Sequence, residues 1–200
     1  MNVLVAQVID ETVIKGSRFI AELFPCSSQA EARDLLKKQK TKYSDATHVC
    51  HAFVIGPNAE ILGMSDDGEP SGTAGRPMLD VLKGHGCTNV ILTITRYFGG
   101  TLLGTGGLVK AYGGGAKSVL EKADLQNAFE PLVAKKDFSL TVSYSIYDEI
   151  KRYISSLHIY ELKEDFQTEI TICGKIREDE ADSFCAKVFD LTSGKTTVKI

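Results

Sequence analysis

Apolar and polar residues alternate along "NVLVAQVID" and again along "SRFIAELFPC", and the intervening "ETVIKG" carries Gly16, so the spacing predicts a β-hairpin. In "SSQAEARDLLKKQK" the period changes. Ala32, Leu35 and Leu36 form one stripe with lysines opposite, and Ser28 and Glu31 have capping-box spacing, which predicts a helix. "HVCHAFVIG" and "EILGMS", divided at Pro57-Asn58, predict a second hairpin. After the polar loop "SDDGEPSGTAG", the run "RPMLDVLKGHG" reads as a helix with Pro77 in its first turn and Gly84 as its stop. "NVILTIT" is an unbroken β-rich run, the pattern of a strand covered on both faces or at a sheet centre. "GLVKAYGGGAKSVLEKADL" returns to helical spacing through Leu108, Ala111, Gly115, Val119 and Leu120, closing a first domain near Leu125.

Around "QNAFEPLVAKK" the pattern restarts. Strand "KDFSLTVSYSI", helix "YDEIKRYISSLH", strands "IYELKEDF" and "TEITICGKI", helix "REDEADSFCAKVFDLTSG" and a short strand "KTTVKI" follow in βαββαβ order, the ferredoxin-like split motif. The alternation in "FSLTVSYSI" fits a sheet with helices on one face. The other face is either a docking surface or simply solvated.

Composition narrows the class. The 200 residues are 43% hydrophobic and 24% charged, the balance of a globular chain able to fill a core. A formal net charge of −3 supplies no overall positive field, so any phosphate-binding surface has to be a local patch, and DNA and membranes are not expected partners. Cys26, Cys50, Cys87, Cys173 and Cys185 form no CxxC pair and follow no secretory leader. No apolar run approaches the ~20 residues of a membrane helix. A cytoplasmic protein with reduced thiols is expected.

The densest bare backbone is "TRYFGGTLLGTGG". Glycine in regular structure costs about 0.5–1 kcal/mol relative to alanine, so clustering marks tight turning or the close approach of amides to an anion or a second chain. Gly104, Gly106 and Gly107 precede a helix, whose first amides and dipole favour phosphate, and Lys110 adds a positive charge. Nucleotide fingerprints fail. Gly99 and Gly104 have P-loop spacing but are followed by Thr105 and Gly106; a dinucleotide pattern from Gly104 and Gly106 needs glycine at Val109; and "YGGGAKS" has Ala116 where glycine belongs. Neither NTP hydrolysis nor NAD binding is expected, and no cofactor. Gly113 to Gly115 read as close packing of a helix on the sheet.

Asp66, Asp67 and Glu69 stand close enough to hold Mg²⁺ or to act as an acid/base pair, but without EF-hand spacing; a salt bridge to Arg76 or Arg96 is the preferred reading. His48 and His51 flank Cys50, yet residues three apart on a strand face opposite ways, so they cannot share zinc, and no metal site is expected. A nucleophilic pair of Cys50 or Cys87 with His51 or His85 needs a lowered thiol pKa, whereas a buried, inert thiol is the default. Arg96, Tyr97 and Phe98 combine a planar cation with two rings, which either stack on bases or a partner protein, or cap the core.

"SDDGEPSGTAGRPML", "VILTITRYFGGTLLGTGGLVKAY" and "KGSRFIAELFPCSSQAEA" together resemble the YigZ/IMPACT family, from about Lys15 to Leu120, and the tail is similar to the extra domain of bacterial members. The resemblance implies an α+β fold: a two-layer domain like domain 2 of ribosomal protein S5, with a four-stranded sheet backed by two helices, over residues 1–127, then a ferredoxin-like domain over 132–200. This layout is similar to the last two domains of the ribosomal translocase. Eukaryotic family members act as translational regulators in amino-acid starvation. The leading expectation is therefore a non-enzymatic cytoplasmic regulator of translation or stress response that binds RNA, the ribosome or a translation-associated protein. Its anion cradle would comprise Arg76, Arg96, Tyr97, Phe98, Gly99, Gly100, Gly104, Gly106, Gly107 and Lys110. Two alternatives stand beside it: a small-molecule hydrolase or transferase using Asp66, Asp67 and Glu69, and a protein-interaction module working through the C-terminal sheet.

Overall fold

In a computed structural model covering residues 1–200, the first apolar run divides. Asn2–Leu4 (β1) leaves the hairpin, which forms instead between Val8–Ile14 (β2) and Ser17–Pro25 (β3), so "ETVI" is strand rather than loop. Lys15 and Gly16, with φ of 48° and 82°, make the two-residue turn, whose mirror-image geometry suits the twist of the strands it joins. Helix α1 (Gln29–Lys42) follows. Ser28 Oγ accepts from the Glu31 amide at 3.2 Å as the capping spacing predicts, while the Glu31 carboxylate returns to the Ser27 amide, not to Ser28.

Strands β4 (His48–Ile55) and β5 (Ile61–Ser65) form the second hairpin; α2 is Gly75–His85, β6 Cys87–Thr88, β7 Val90–Tyr97, α3 Gly104–Leu125 and β8 Phe129–Pro131. Gly84 lies inside α2. The stop is Gly86, left-handed at φ 78°. The main sheet has the order β2-β3-β7-β4-β5, antiparallel throughout, and so has five strands where four were expected. The unbroken apolar strand β7 is central. Val90, Leu92 and Ile94 face α2 and α3, while Ile91 on the opposite face meets Ala32 of α1. A small second sheet joins β1 to β6 in parallel and to β8 antiparallel.

The chain divides into Met1–Leu132 and Val133–Ile200, so residues 128–132, outside the first domain as read from sequence, belong to the first unit. In the second unit β9 (Lys135–Val142), α4 (Tyr144–Ser155), β10 (Tyr160–Phe166), β11 (Ile170–Arg177) and α5 (Ala181–Leu191) occur in the expected ferredoxin-like order. Helix α4 starts earlier than the strand pattern suggested, because Ile146, Ile150 and Ile154 share one inward stripe. The sheet is β10-β11-β9, and of the expected final strand only Lys199 pairs, with Ser139. Phe138, Leu140 and Val142 alternate inward against Ile150 and Phe184, and the open face carries polar residues such as Asp137 and Thr141. No helix of the chain is long and apolar enough to cross a membrane.

Candidate functional site

The glycine loop leaves the end of β7 and runs to the start of α3. Gly99 lies backbone against backbone with Gly16, where any side-chain carbon would collide, and its amide donates to Ser17 Oγ at 3.2 Å. Gly104 opens α3 at φ 72°, with Leu103 before it and no side-chain cap. The amides of Gly104, Thr105 and Gly106 find no acceptor in the chain, and these residues are exposed. Gly107 is half-buried against Leu103, and Gly100 sits in the exposed turn. In the same loop Leu102 is 83% exposed and Phe98 46%. The helical glycines differ: Gly115 is buried close to Ile94, as the packing reading expects, whereas Gly114 faces open space.

Arg96 does not face this surface. It is only 5% exposed, its Nη1 donates to Glu69 Oε1 at 2.8 Å and its Nη2 to Ser17 Oγ at 3.3 Å. The guanidinium lies 5.5 Å from the Phe19 ring centroid and 5.6 Å from that of Phe98. Arg96 is therefore withdrawn from the anion cradle. Because β7 is the central strand, Arg96, its penultimate residue, stands in register between Phe19 of β3 and His48 of β4. Arg76 is exposed but tied to Asp80 at 2.9 Å one turn along α2, and Tyr97 donates to Asp45 at 2.9 Å. Lys110 is exposed and makes no ion pair.

The acidic loop is likewise committed to the fold. The Asp66 carboxylate accepts from the amides of Gly72, Ala74 and Gly75 at 2.8–3.0 Å, closing the start of α2 from a distance. Burial pushes this carboxyl up, but the three amide bonds together hold it below the usual range. Asp67 accepts from the Val49 amide at 2.8 Å and pairs with Lys40; burial opposes these partners, yet they hold its carboxyl low as well. Glu69, 7% exposed, also accepts from Tyr112 Oη at 2.7 Å. The three carboxylates thus serve three separate partners within the fold.

Two residues enter this network that sequence reasoning did not place there. His48 Nδ1 lies 2.8 Å from the Asp67 carbonyl, with Nε2 3.9 Å from Glu69 Oε2, and Tyr112 links Glu69 to Cys50. Tyr112 carried a signal: a hydroxyl within the inward stripe of α3 needs a buried partner. Burial pushes the Cys50 thiol up to about 12, and the charges of Glu69, Asp67 and Asp66 add to this; burial likewise raises Cys87 to about 12. Neither is an activated nucleophile. His48 faces Glu69, while His51 points to the α1 side and lines a cavity there with Ala32 and Leu36.

These features define a two-unit α+β protein in which a buried Arg-Glu-Tyr network supports an exposed, uncapped loop-to-helix junction. The family described as Impact N-terminal domain matches residues 15–120, and the one described as Domain of unknown function (DUF1949) matches residues 140–195. IMPACT family member YvyE of Bacillus subtilis (strain 168) is 36% identical over 94% of this chain and 85% of its own. IMPACT family member YigZ of Escherichia coli (strain K12) is 36% identical over 90% of this chain and 88% of its own. A solved structure described as that of a hypothetical protein aligns at a TM-score of 0.71 with 33% identity, over 98% of this chain and 95% of that one. The chain belongs to the IMPACT family.

Proposed function

We propose that this chain is a non-catalytic, translation-associated binding protein whose contact surface is the loop Phe98–Leu103 with the first turn of α3. Its partner on this reading is RNA, the ribosome or a translation-associated protein. One observation carries the reading: three donor amides without acceptors open a helix directly after a loop that exposes two apolar side chains, Phe98 and Leu102. Amides there sit at the positive end of the helix dipole, and exposed apolar side chains in the preceding loop favour a contact over plain solvation. Lys110, in the next turn of α3, is exposed and adds a cation to this surface. Membership of a family whose eukaryotic members regulate translation supports the cellular setting.

Ribosome co-sedimentation tests it. The double variant Leu102→Ser/Lys110→Glu changes only exposed side chains, so its thermal unfolding should match that of the parent, while ribosome retention should fall at least about tenfold, the equivalent of about 1.4 kcal/mol. Equal retention of parent and variant overturns this assignment of the surface.

A further inference from the structure

Helix α1 carries Arg33, Lys37, Lys38, Lys40 and Lys42 against Glu31 and Asp34. That is a net +3 within a chain of formal charge −3, so the residues outside α1 stand at −6. Two of the five cations are engaged: Lys42 with Glu22 at 2.7 Å and Lys40 with Asp67. Arg33, Lys37 and Lys38 are exposed and make no ion pair. Arg33 and Lys37, one turn apart, stand on the same face at about 5–6 Å between Cβ atoms. With Leu36, Lys40, Thr41 and Ser44 they line a groove of about 630 Å³ that contains no carboxylate.

At its C-terminal end the groove runs towards the glycine loop. Tyr43 ends α1, Asp45 accepts from Tyr97 Oη, and Thr47 Oγ1 accepts from the Phe98 amide at 3.1 Å. The free cations Arg33 and Lys37 therefore stand on a helix whose C-terminal end connects to Tyr97 and Phe98 through Asp45 and Thr47. We infer that the α1 groove binds the phosphate backbone of single-stranded RNA, an assignment that rests on the translation-associated reading above and names its polyanionic partner. Arg33 supplies a planar fork that matches phosphate oxygens, Lys37 supplies a point charge, and Tyr97 and Phe98 offer rings for unpaired bases. Charge complementarity favours this occupant: the groove is a local positive patch on a chain of net negative charge.

Fluorescence anisotropy with a labelled single-stranded RNA, run across a salt series, reads the inference directly. Arg33→Gln/Lys37→Gln should weaken binding at least about tenfold at low salt and flatten the slope of log affinity against log salt by about 1.4, two contacts at about 0.7 each. The inference is overturned if the parent binds no RNA, if the double variant keeps the parent's affinity and slope, or if the parent prefers duplex DNA of equal length, anionic vesicles or a polyglutamate peptide. The loop assignment fails separately. Leu102→Ser/Lys110→Glu that pellets with ribosomes as the parent does removes the loop surface, whereas the RNA slope reports only on α1.

Discussion

Asp66, Asp67 and Glu69 stand within four positions of one another, yet each answers a different demand of the fold: amides at a helix start, a strand amide with a lysine, and a buried guanidinium. Of these, Asp66 yields a measurable pH signature. Its folded pKa lies below the ordinary value of about 3.9, so its contribution to stability is complete above that value and is lost as pH falls through the folded pKa. Asp66→Asn should cost about 1 kcal/mol near pH 7, comparable to a lost helix cap. Urea unfolding of parent and variant should then converge below about pH 4. A gap that stays constant down to acid pH would assign the loss to packing rather than to the carboxylate. The pairing of Glu69 with Arg96 was within reach of the sequence as one of two arginine choices. That Arg96 is buried was not, since it depends on β7 taking the central place in the sheet.

Helix α1 is docked by half its length on apolar residues and by the other half on polar ones. Ala32 meets Ile55 and Ile91. Further along, Glu22, Thr93 and His51 stand in register across β3, β7 and β4 on the α1 face, with Thr95 two residues on and Gln39 above from the helix. Glu22 Oε2, Thr93 Oγ1, Thr95 Oγ1, His51 Nδ1 and Gln39 Oε1 are buried without a protein partner. Thr93→Val keeps the branched shape and removes one such group, so the first unit should gain about 1 kcal/mol in chemical denaturation; a loss would mean that this hydroxyl is solvated or bonded in solution. The stripe of Ala32, Leu35 and Leu36 and the Ser28 cap made α1 legible as a helix. The polar row beneath it was not legible, because three strands far apart in sequence compose it and local periodicity carries no information on which strands become neighbours.

The two units have separate cores, one built around Tyr112, Leu92 and Met78 and the other around Phe184, Ile150 and Ile172. A change in hydrophobic pattern near residue 127 was enough to show that two domains exist, but the boundary lies later, at Leu132. The difference is β8, three residues ending in a proline and too short for any period to register. Its role is topological: Phe129 pairs with Leu4 and packs against His85 at 4.8 Å between ring centroids, and the Leu132 amide donates to the Met1 carbonyl at 2.8 Å. Without it β1 keeps only β6 as a neighbour. A fragment of residues 1–132 should therefore unfold cooperatively and be more stable than one of residues 1–127 by about 2 kcal/mol, the scale of one apolar side chain and a backbone bond returned to water. Matching denaturation midpoints and slopes for the two fragments would show that the small sheet adds nothing to the first unit, and would move the boundary back to where the pattern alone had placed it.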